Sequence, residues 1–303
     1  MDETQRRGLV EMMGENIQLD RAMSEYTTFR IGGKADAICF VHGLRELQQV
    51  FSYLNREKIP YLLVGKGSNL LVRDGGFKGA VIIMRGQLAT IKQHEKNDQV
   101  VVAGGGLPLS DLVKFCSHRG LGGLEFLSGI PGTVGGAVTM NAGAFGRAMG
   151  DVVQQVDVVT LEGEFTSRNR SDLAFSYRES SIQEGGLVVR ASLQCSQETP
   201  KIVSGRVTDY LTRRKVTQPL EYPSAGSVFR NPPNDYAGRL IEQTGLKGKK
   251  IGAAMISPKH ANYIVNTGGA KAEDVLRLME MAKEKVREAK GIELQPEIKV
   301  VGD

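Results

Sequence analysis

The chain has 303 residues, 41% of them hydrophobic, and that length exceeds one ordinary hydrophobic core, so two or three domains are expected. Its formal net charge of +5 comes from 39 Lys and Arg scattered among 34 acids, with no Trp for base stacking, which argues against nucleic acid and for a small polyanionic partner. No apolar run approaches the roughly 18 residues of a membrane span, and the charged opening Met1 to Arg7 has no apolar signal region behind it, so a cytoplasmic protein with no membrane partner is expected.

In chain order, the first twenty residues read as a loosely attached amphipathic helix. Tyr26-Thr27-Thr28-Phe29-Arg30-Ile31-Gly32-Gly33-Lys34-Ala35 then leads into an expected strand at 37–41. Leu44, Leu47, Val50, Phe51 and Leu54 fall on one face of a helix ending near Pro60, and a strand at 61–64 completes a βαβ-like lobe, taken as 1–64. A second lobe, 65–198, alternates glycine loops with expected strands at 79–84, 100–103, 152–161 and 187–193. Its one good helix takes Ser110 as N-cap, presents Leu112, Phe115 and Cys116 on one face, and stops at Gly120. Polar residues and proline at 196–200 mark the expected start of a third segment, 199–303, whose last strand either closes it or returns to the preceding domain. There Ile202, Val203, Val207, Tyr210 and Leu211 make a helical face closed by Gln218-Pro219. A short helix at 235–244, strands at 251–257 and 262–265, and a long helix at 273–290 with Val275, Leu278, Met279, Ala282 and Val286 inward complete the segment. Cys39, Cys116 and Cys195 stand far apart without a C-x-x-C, so neither a disulfide framework nor a metal site is expected.

Three glycine loops stand out. Val64-Gly65-Lys66-Gly67-Ser68-Asn69-Leu70-Leu71-Val72 is strand, loop and strand, and Gly104-Gly105-Gly106-Leu107-Pro108-Leu109 follows another strand. The longest runs from Ser128 through Gly129-Ile130-Pro131-Gly132-Thr133-Val134-Gly135-Gly136-Ala137 to Asn141-Ala142-Gly143-Ala144, almost without charge. What it offers is bare backbone, whose N–H groups can converge on a phosphate; a tightly packed turn between buried elements fits the same composition. No G-x-G-x-x-G opens a helix and no P-loop occurs, so a different nucleotide-binding architecture is implied.

The pieces Gly65-x-Gly67-Ser68-Asn69-Leu70-Leu71, Gly129-Ile130-Pro131-Gly132-x-Val134-Gly135-Gly136-Ala137 and Asn141-Ala142-Gly143-Ala144 resemble the flavin loops of the UDP-N-acetylenolpyruvoylglucosamine reductase family, over nearly the whole chain. The resemblance implies an α+β fold: a vanillyl-alcohol-oxidase-type (PCMH-type) FAD-binding domain and a separate α/β substrate-binding domain. It implies non-covalent FAD held by Gly65, Lys66, Gly67, Ser68, Asn69, Leu70 and the residues of the other two pieces, NADPH as co-substrate and a UDP-sugar as substrate.

Three residues would carry the chemistry by the same resemblance, each beside a plainer reading. Ser227, in Pro223-Ser224-Ala225-Gly226-Ser227-Val228-Phe229-Arg230-Asn231-Pro232, matches the family's proton donor and is otherwise a turn serine. Arg178, in Phe175-Ser176-Tyr177-Arg178-Glu179-Ser180, matches the arginine that holds the substrate carboxylate and is otherwise a surface salt-bridge residue. Glu297, in Leu294-Gln295-Pro296-Glu297-Ile298, matches a glutamate facing the enolpyruvyl group, a role that requires a raised pKa; otherwise it is a solvated strand carboxylate. Lys215 is expected to meet phosphates, Asn231 to hydrogen-bond the substrate, and His260 to contribute more weakly, a surface histidine being its plainer reading. The short interval from Arg178 to Ser227 leaves no room for the tyrosine loop of the family's longer branch, so the chain resembles the shorter branch. A flavin oxidase of the same fold is the enzymatic alternative, disfavoured because Lys66 rather than a tethering histidine stands in the first glycine loop; a non-catalytic nucleotide-binding module is the other.

Overall fold

The computed structural model describes residues 1–183 and 186–303. The chain divides into two compact units, each gathered from three segments: 1–19, 37–66 and 79–213 in the first, 20–36, 67–78 and 214–303 in the second. This partition differs from contiguous cuts near 64 and 198. Residues 199–213 stay with the first unit because Val203 is buried and Val207 packs on that unit's core. Residues 20–36 and 67–78 join the second because Phe29, Ile31 and Leu71 are fully or almost fully buried in its core.

The first unit holds two cores. Helix α1 (Glu3–Met13) begins with a capping box between Asp2 and Gln5 and sinks Leu9 and Met13 against helix α2 (Leu44–Arg56). The expected loose attachment is therefore corrected: the polar appearance of the segment hides two side chains that go fully into the core. Strands β1 (Ile17–Ala22), β2 (Lys34–Val41), β3 (Tyr61–Leu63) and, after β4 (Leu70–Val72), β5 (Phe77–Met84) supply a four-stranded sheet in the order β1-β2-β5-β3. The β2–α2–β3 crossover thus leaves a slot that β5 fills, pairing parallel with β3.

The other core lies under a five-stranded antiparallel sheet. Its order is Phe165–Asn169, Val153–Val159, Leu187–Gln194, β7 (Asn97–Gly104) and β6 (Ile91–His94). Helices α3 (Leu109–Arg119) and α4 (Val134–Thr139) bury Leu112, Cys116, Val134 and Val138 in this core, together with Val156, Val188 and Ala191 of the sheet. Ser110 is not the N-cap of α3. The N-cap is Pro108, two residues earlier, and the Leu109 N–H is taken by the Gly132 carbonyl at 3.0 Å, so no side-chain cap is needed there. Gly120 closes α3 in a left-handed conformation, as expected. Helix α5 (Pro200–Thr217) carries only half of its expected apolar face inward, Ile202 and Leu211 being exposed.

In the second unit, helices α6 (Ala237–Gln243) and α7 (Ala272–Lys290) pack Leu240, Ile241, Val275, Leu278 and Val286 around Phe229. The expected strand at 251–257 is a hairpin, Lys250–Ile251 turning into Ala254–Ile256, and Ile264–Asn266 completes a three-stranded antiparallel sheet. The Asp74 carboxylate accepts from the Ala272 and Glu273 N–H groups at 2.9 and 3.1 Å, capping α7 from a residue nearly two hundred positions upstream. Strand Lys299–Val301 pairs parallel with β4, which belongs to the same unit. The three cysteines are free and buried.

Candidate functional site

In the first unit, α4 grows out of the long glycine stretch, with Thr133 as its N-cap and Thr133 Oγ1 accepting from Gly136 N at 3.4 Å. The Val134 and Gly135 N–H groups donate to the carbonyls of Leu107 and Gly105 at 2.9 and 2.8 Å. A Cβ on Gly135 would stand 2.8 Å from the Val188 carbonyl oxygen and 3.0 Å from that of Gly105. Gly135 therefore serves close packing of α4 on the sheet, and its amide is spent inside the chain rather than offered to a phosphate. One turn earlier the situation reverses. Among the described residues no hydrogen bond takes up the N–H groups of Gly129, Gly132 or Thr133, and Ser128 Oγ is buried without a partner. Buried polar groups ordinarily find partners, so this orphaned hydroxyl beside unspent amides fits a site that a polar ligand completes. Gly129, Pro131 and Gly136 are exposed along the same stretch, while Ile130 and Ala142 pack on the core behind it. These donors suit the pyrophosphate of FAD, held by backbone rather than by charge.

The end of the stretch meets Arg178. Asn141 Oδ1 accepts from Gly150 N at 2.9 Å and Asn141 Nδ2 donates to the Ser176 carbonyl at 2.7 Å. That second bond fixes the hairpin Phe175–Ser176/Glu179–Ser180, whose turn residues are Tyr177 and Arg178. Arg178 adopts φ 60°, a conformation that costs a β-carbon-bearing residue energy, and its Nη1 donates to the Gly143 carbonyl at 3.1 Å. The guanidinium lies 5.4 Å from the Tyr177 ring centroid. The structure thus brings Asn141, Gly143 and Arg178 together. Gly65 and Lys66 are exposed residues of the same unit.

In the second unit, Gly67 stands at φ 59°, and a Cβ there would fall 2.8 Å from Thr27 Cα, so the segment from Tyr26 onward lies directly beneath the first glycine loop. Ser68 follows, half-buried. Asn69 does more than line a loop. Its Nδ2 donates to the Glu297 carbonyl at 3.1 Å, and its own carbonyl accepts from Lys299 N at 2.9 Å, while Leu70 begins β4.

Ser227 and Glu297 lie on adjacent backbone segments. Ser227 bridges Tyr263, Phe229 bridges Pro296, and the Glu297 N–H donates to the Val228 carbonyl at 2.7 Å. Both side chains are half-buried, and among the described residues no hydrogen bond takes up the Ser227 hydroxyl. Asn231 Oδ1 accepts from Ala237 N at 3.1 Å, fixing the start of α6. Lys215 is exposed, and its carbonyl accepts from Lys259 Nζ at 2.6 Å; the neighbouring Arg214 is the buried one, donating to Gln218 Oε1 at 3.2 Å. His260 is not a surface histidine. It is half-buried, its Nδ1 accepts from Asn262 N at 3.2 Å, and burial first of all holds its pKa below the usual imidazole value. Sequence reasoning read Asn262 only as the first residue of a strand, because an asparagine there carries no further signal until its partners are known.

The fold and these donor sets define an FAD-containing oxidoreductase, and a family model described as FAD binding domain matches residues 35–167. A second model, the C-terminal domain of UDP-N-acetylenolpyruvoylglucosamine reductase, matches residues 218–301. The UDP-N-acetylenolpyruvoylglucosamine reductase of Syntrophus aciditrophicus is 41% identical over 288 residues, covering 95% of this chain and 92% of that protein. That of Listeria monocytogenes serovar 1/2a is 40% identical with 95% of each chain covered. The crystal structure of the Thermus caldophilus reductase superposes with a TM-score of 0.81 at 38% identity, over 94% of this chain and 98% of the other. The chain belongs to the UDP-N-acetylenolpyruvoylglucosamine reductase family, with an FAD-binding domain and that family's C-terminal domain. Among the described residues no helix is long and apolar enough to cross a membrane.

Proposed function

We propose that the chain reduces UDP-N-acetylglucosamine enolpyruvate to UDP-N-acetylmuramate with NADPH, in the cytoplasm, as a step of peptidoglycan precursor synthesis. The pairing of the Ser227 and Glu297 segments carries this reading, since it holds one hydroxyl and one carboxyl on neighbouring backbone segments, with the hydroxyl uncommitted among the described residues. Non-covalently bound FAD would be held by the amides around Gly129, Gly132 and Thr133 and would supply hydride chemistry. The residues of the chain do the rest. Arg178, permanently charged and braced by the Gly143 carbonyl, stabilises the enolate that forms when hydride reaches the enolpyruvyl methylene carbon. Glu297 shares or donates a proton at the substrate carboxylate, where two bare carboxylates would repel. Ser227 gives its proton to the adjacent carbon, and the resulting alkoxide regains one from solvent. Lys215 and Asn231 attract and orient the UDP-sugar.

The two half-reactions test this. Ser227→Ala should let NADPH bleach the flavin at nearly the normal rate, because that step needs no proton on substrate carbon. Reoxidation by the enolpyruvyl sugar should slow by at least the roughly 10²–10⁴-fold that a positioned acid contributes. Stopped-flow absorbance follows both steps in one preparation, and slowed reduction with normal reoxidation would remove Ser227 from the proton-donor role.

A further inference from the structure

Asn262 is only 3% exposed, and none of the roles above uses it. Its side chain behaves as a short piece of neighbouring strand. Oδ1 accepts from Phe229 N at 2.9 Å, Nδ2 donates to the Phe229 carbonyl at 2.8 Å, and the Asn262 carbonyl accepts from Val228 N at 2.8 Å. The next residue, Tyr263, forms the bridge to Ser227. Asn262 is itself held: its N–H donates to His260 Nδ1 at 3.2 Å, and the His260 ring meets the Tyr263 ring at 4.9 Å edge to face.

On the other side of Ser227 the nearest hydrogen-bonded anchors lie three and four residues away, where the Ser224 carbonyl accepts from Thr28 Oγ1 at 2.7 Å and the Pro223 carbonyl from Asn266 N at 2.9 Å. Gly226 stands at φ 76°, and the position where a Cβ would be has nothing within 4 Å. The nearer hold on Ser227 therefore comes from the residues after it, since Val228 and Phe229 are fixed directly by Asn262. An amide side chain is the natural device for this, because it presents one acceptor and one donor in a plane; aspartate presents two acceptors and alanine neither.

We infer that Asn262 is a positioning residue for the Ser227 hydroxyl and that His260 acts through Asn262 rather than on the substrate. The inference rests on the reading of Ser227 as proton donor. A misplacement of about 1 Å at a reacting group can cost about 10²-fold in rate, so the clamp should show its effect in the protonation step alone.

Asn262→Asp keeps shape and removes the donor to Phe229. In the holoprotein it should retain FAD, leave reduction by NADPH within about twofold, and slow reoxidation by the UDP-sugar by about 10- to 100-fold, with kcat falling more than KM rises. In a Ser227→Ala background the same change should add almost nothing, because residues acting as one unit are not additive. Loss of FAD, equal slowing of both half-reactions, or full slowing on top of Ser227→Ala would each overturn the positioning role. Ser227→Ala alone reports on the proton-donor reading separately: if it reoxidises normally, that reading falls whatever Asn262→Asp does. Should Asn262→Asp fail to fold, His260→Ala is the second variant, leaving the Asn262 amide in place. It should slow reoxidation to a smaller degree with the UDP-sugar KM unchanged, and a raised KM with normal kcat would return His260 to substrate binding and overturn the inference.

Discussion

Replacing Gly135 by alanine separates packing from ligand binding in the long glycine stretch. The added Cβ would stand 2.8 Å from the Val188 carbonyl oxygen, 3.0 Å from that of Gly105 and 3.2 Å from Gly105 Cα. All three are backbone atoms, and Val188 belongs to a strand hydrogen-bonded on both sides, so the neighbour cannot simply rotate away. Overpacking of this kind costs about 1–3 kcal/mol. Alanine returns up to about 1 kcal/mol as the better helix former in α4, which leaves a net loss of about 2 kcal/mol at the upper end of that range. Because the Gly135 N–H already donates to Gly105, the affinity for FAD should change little. Urea unfolding with an unchanged m-value and a lowered midpoint, in protein stripped of FAD as well as in holoprotein, checks the first expectation, and a fluorescence titration of FAD checks the second. If the stripped protein keeps its midpoint while FAD affinity falls tenfold or more, Gly135 belongs to a phosphate cradle and the packing argument is wrong. Gly135→Asp adds an unpaired buried carboxylate at a further cost of several kcal/mol and should yield colourless or poorly folded protein.

Asn69→Ala should keep its FAD and its reduction by NADPH yet slow reoxidation by the UDP-sugar, because its side chain holds the Glu297 backbone; loss of FAD as the first effect would make it a cofactor residue instead. Lys215→Ala, which removes an exposed charge, should raise the KM values for UDP-sugar and NADPH more than it lowers kcat, as steady-state kinetics would show. His260 titrates below its usual value when folded, chiefly through burial, so its contribution to stability is fully present above the unfolded value of about 6.5 and is lost as pH falls toward the folded value. Urea midpoints from pH 8 to pH 5 should therefore fall less for His260→Gln than for the parent chain, and parallel curves would show that His260 is not involved.

Local order was written in the residues themselves. The faces of α2 and α7, the left-handed stop at Gly120 and the glycine loops follow from periodicity and from the conformations glycine allows, which are properties of a few neighbouring positions. The loops and the Ser227 decapeptide also carried the family. The division of the chain was not legible, because it depends on which core Phe29, Ile31 and Leu71 enter, and burial partners far apart in sequence leave no mark on local composition. Nor could composition decide between the two uses of a glycine: Gly135 spends its amide on Gly105, whereas among the described residues nothing takes up that of Gly129, and only the approach of another strand distinguishes them. The roles of Asn69, Asn262 and His260 were decided by tertiary structure alone. An asparagine amide is the same donor and acceptor everywhere, and what it holds is set by the backbone that the fold brings to it, here the Glu297 carbonyl for Asn69 and Phe229 for Asn262.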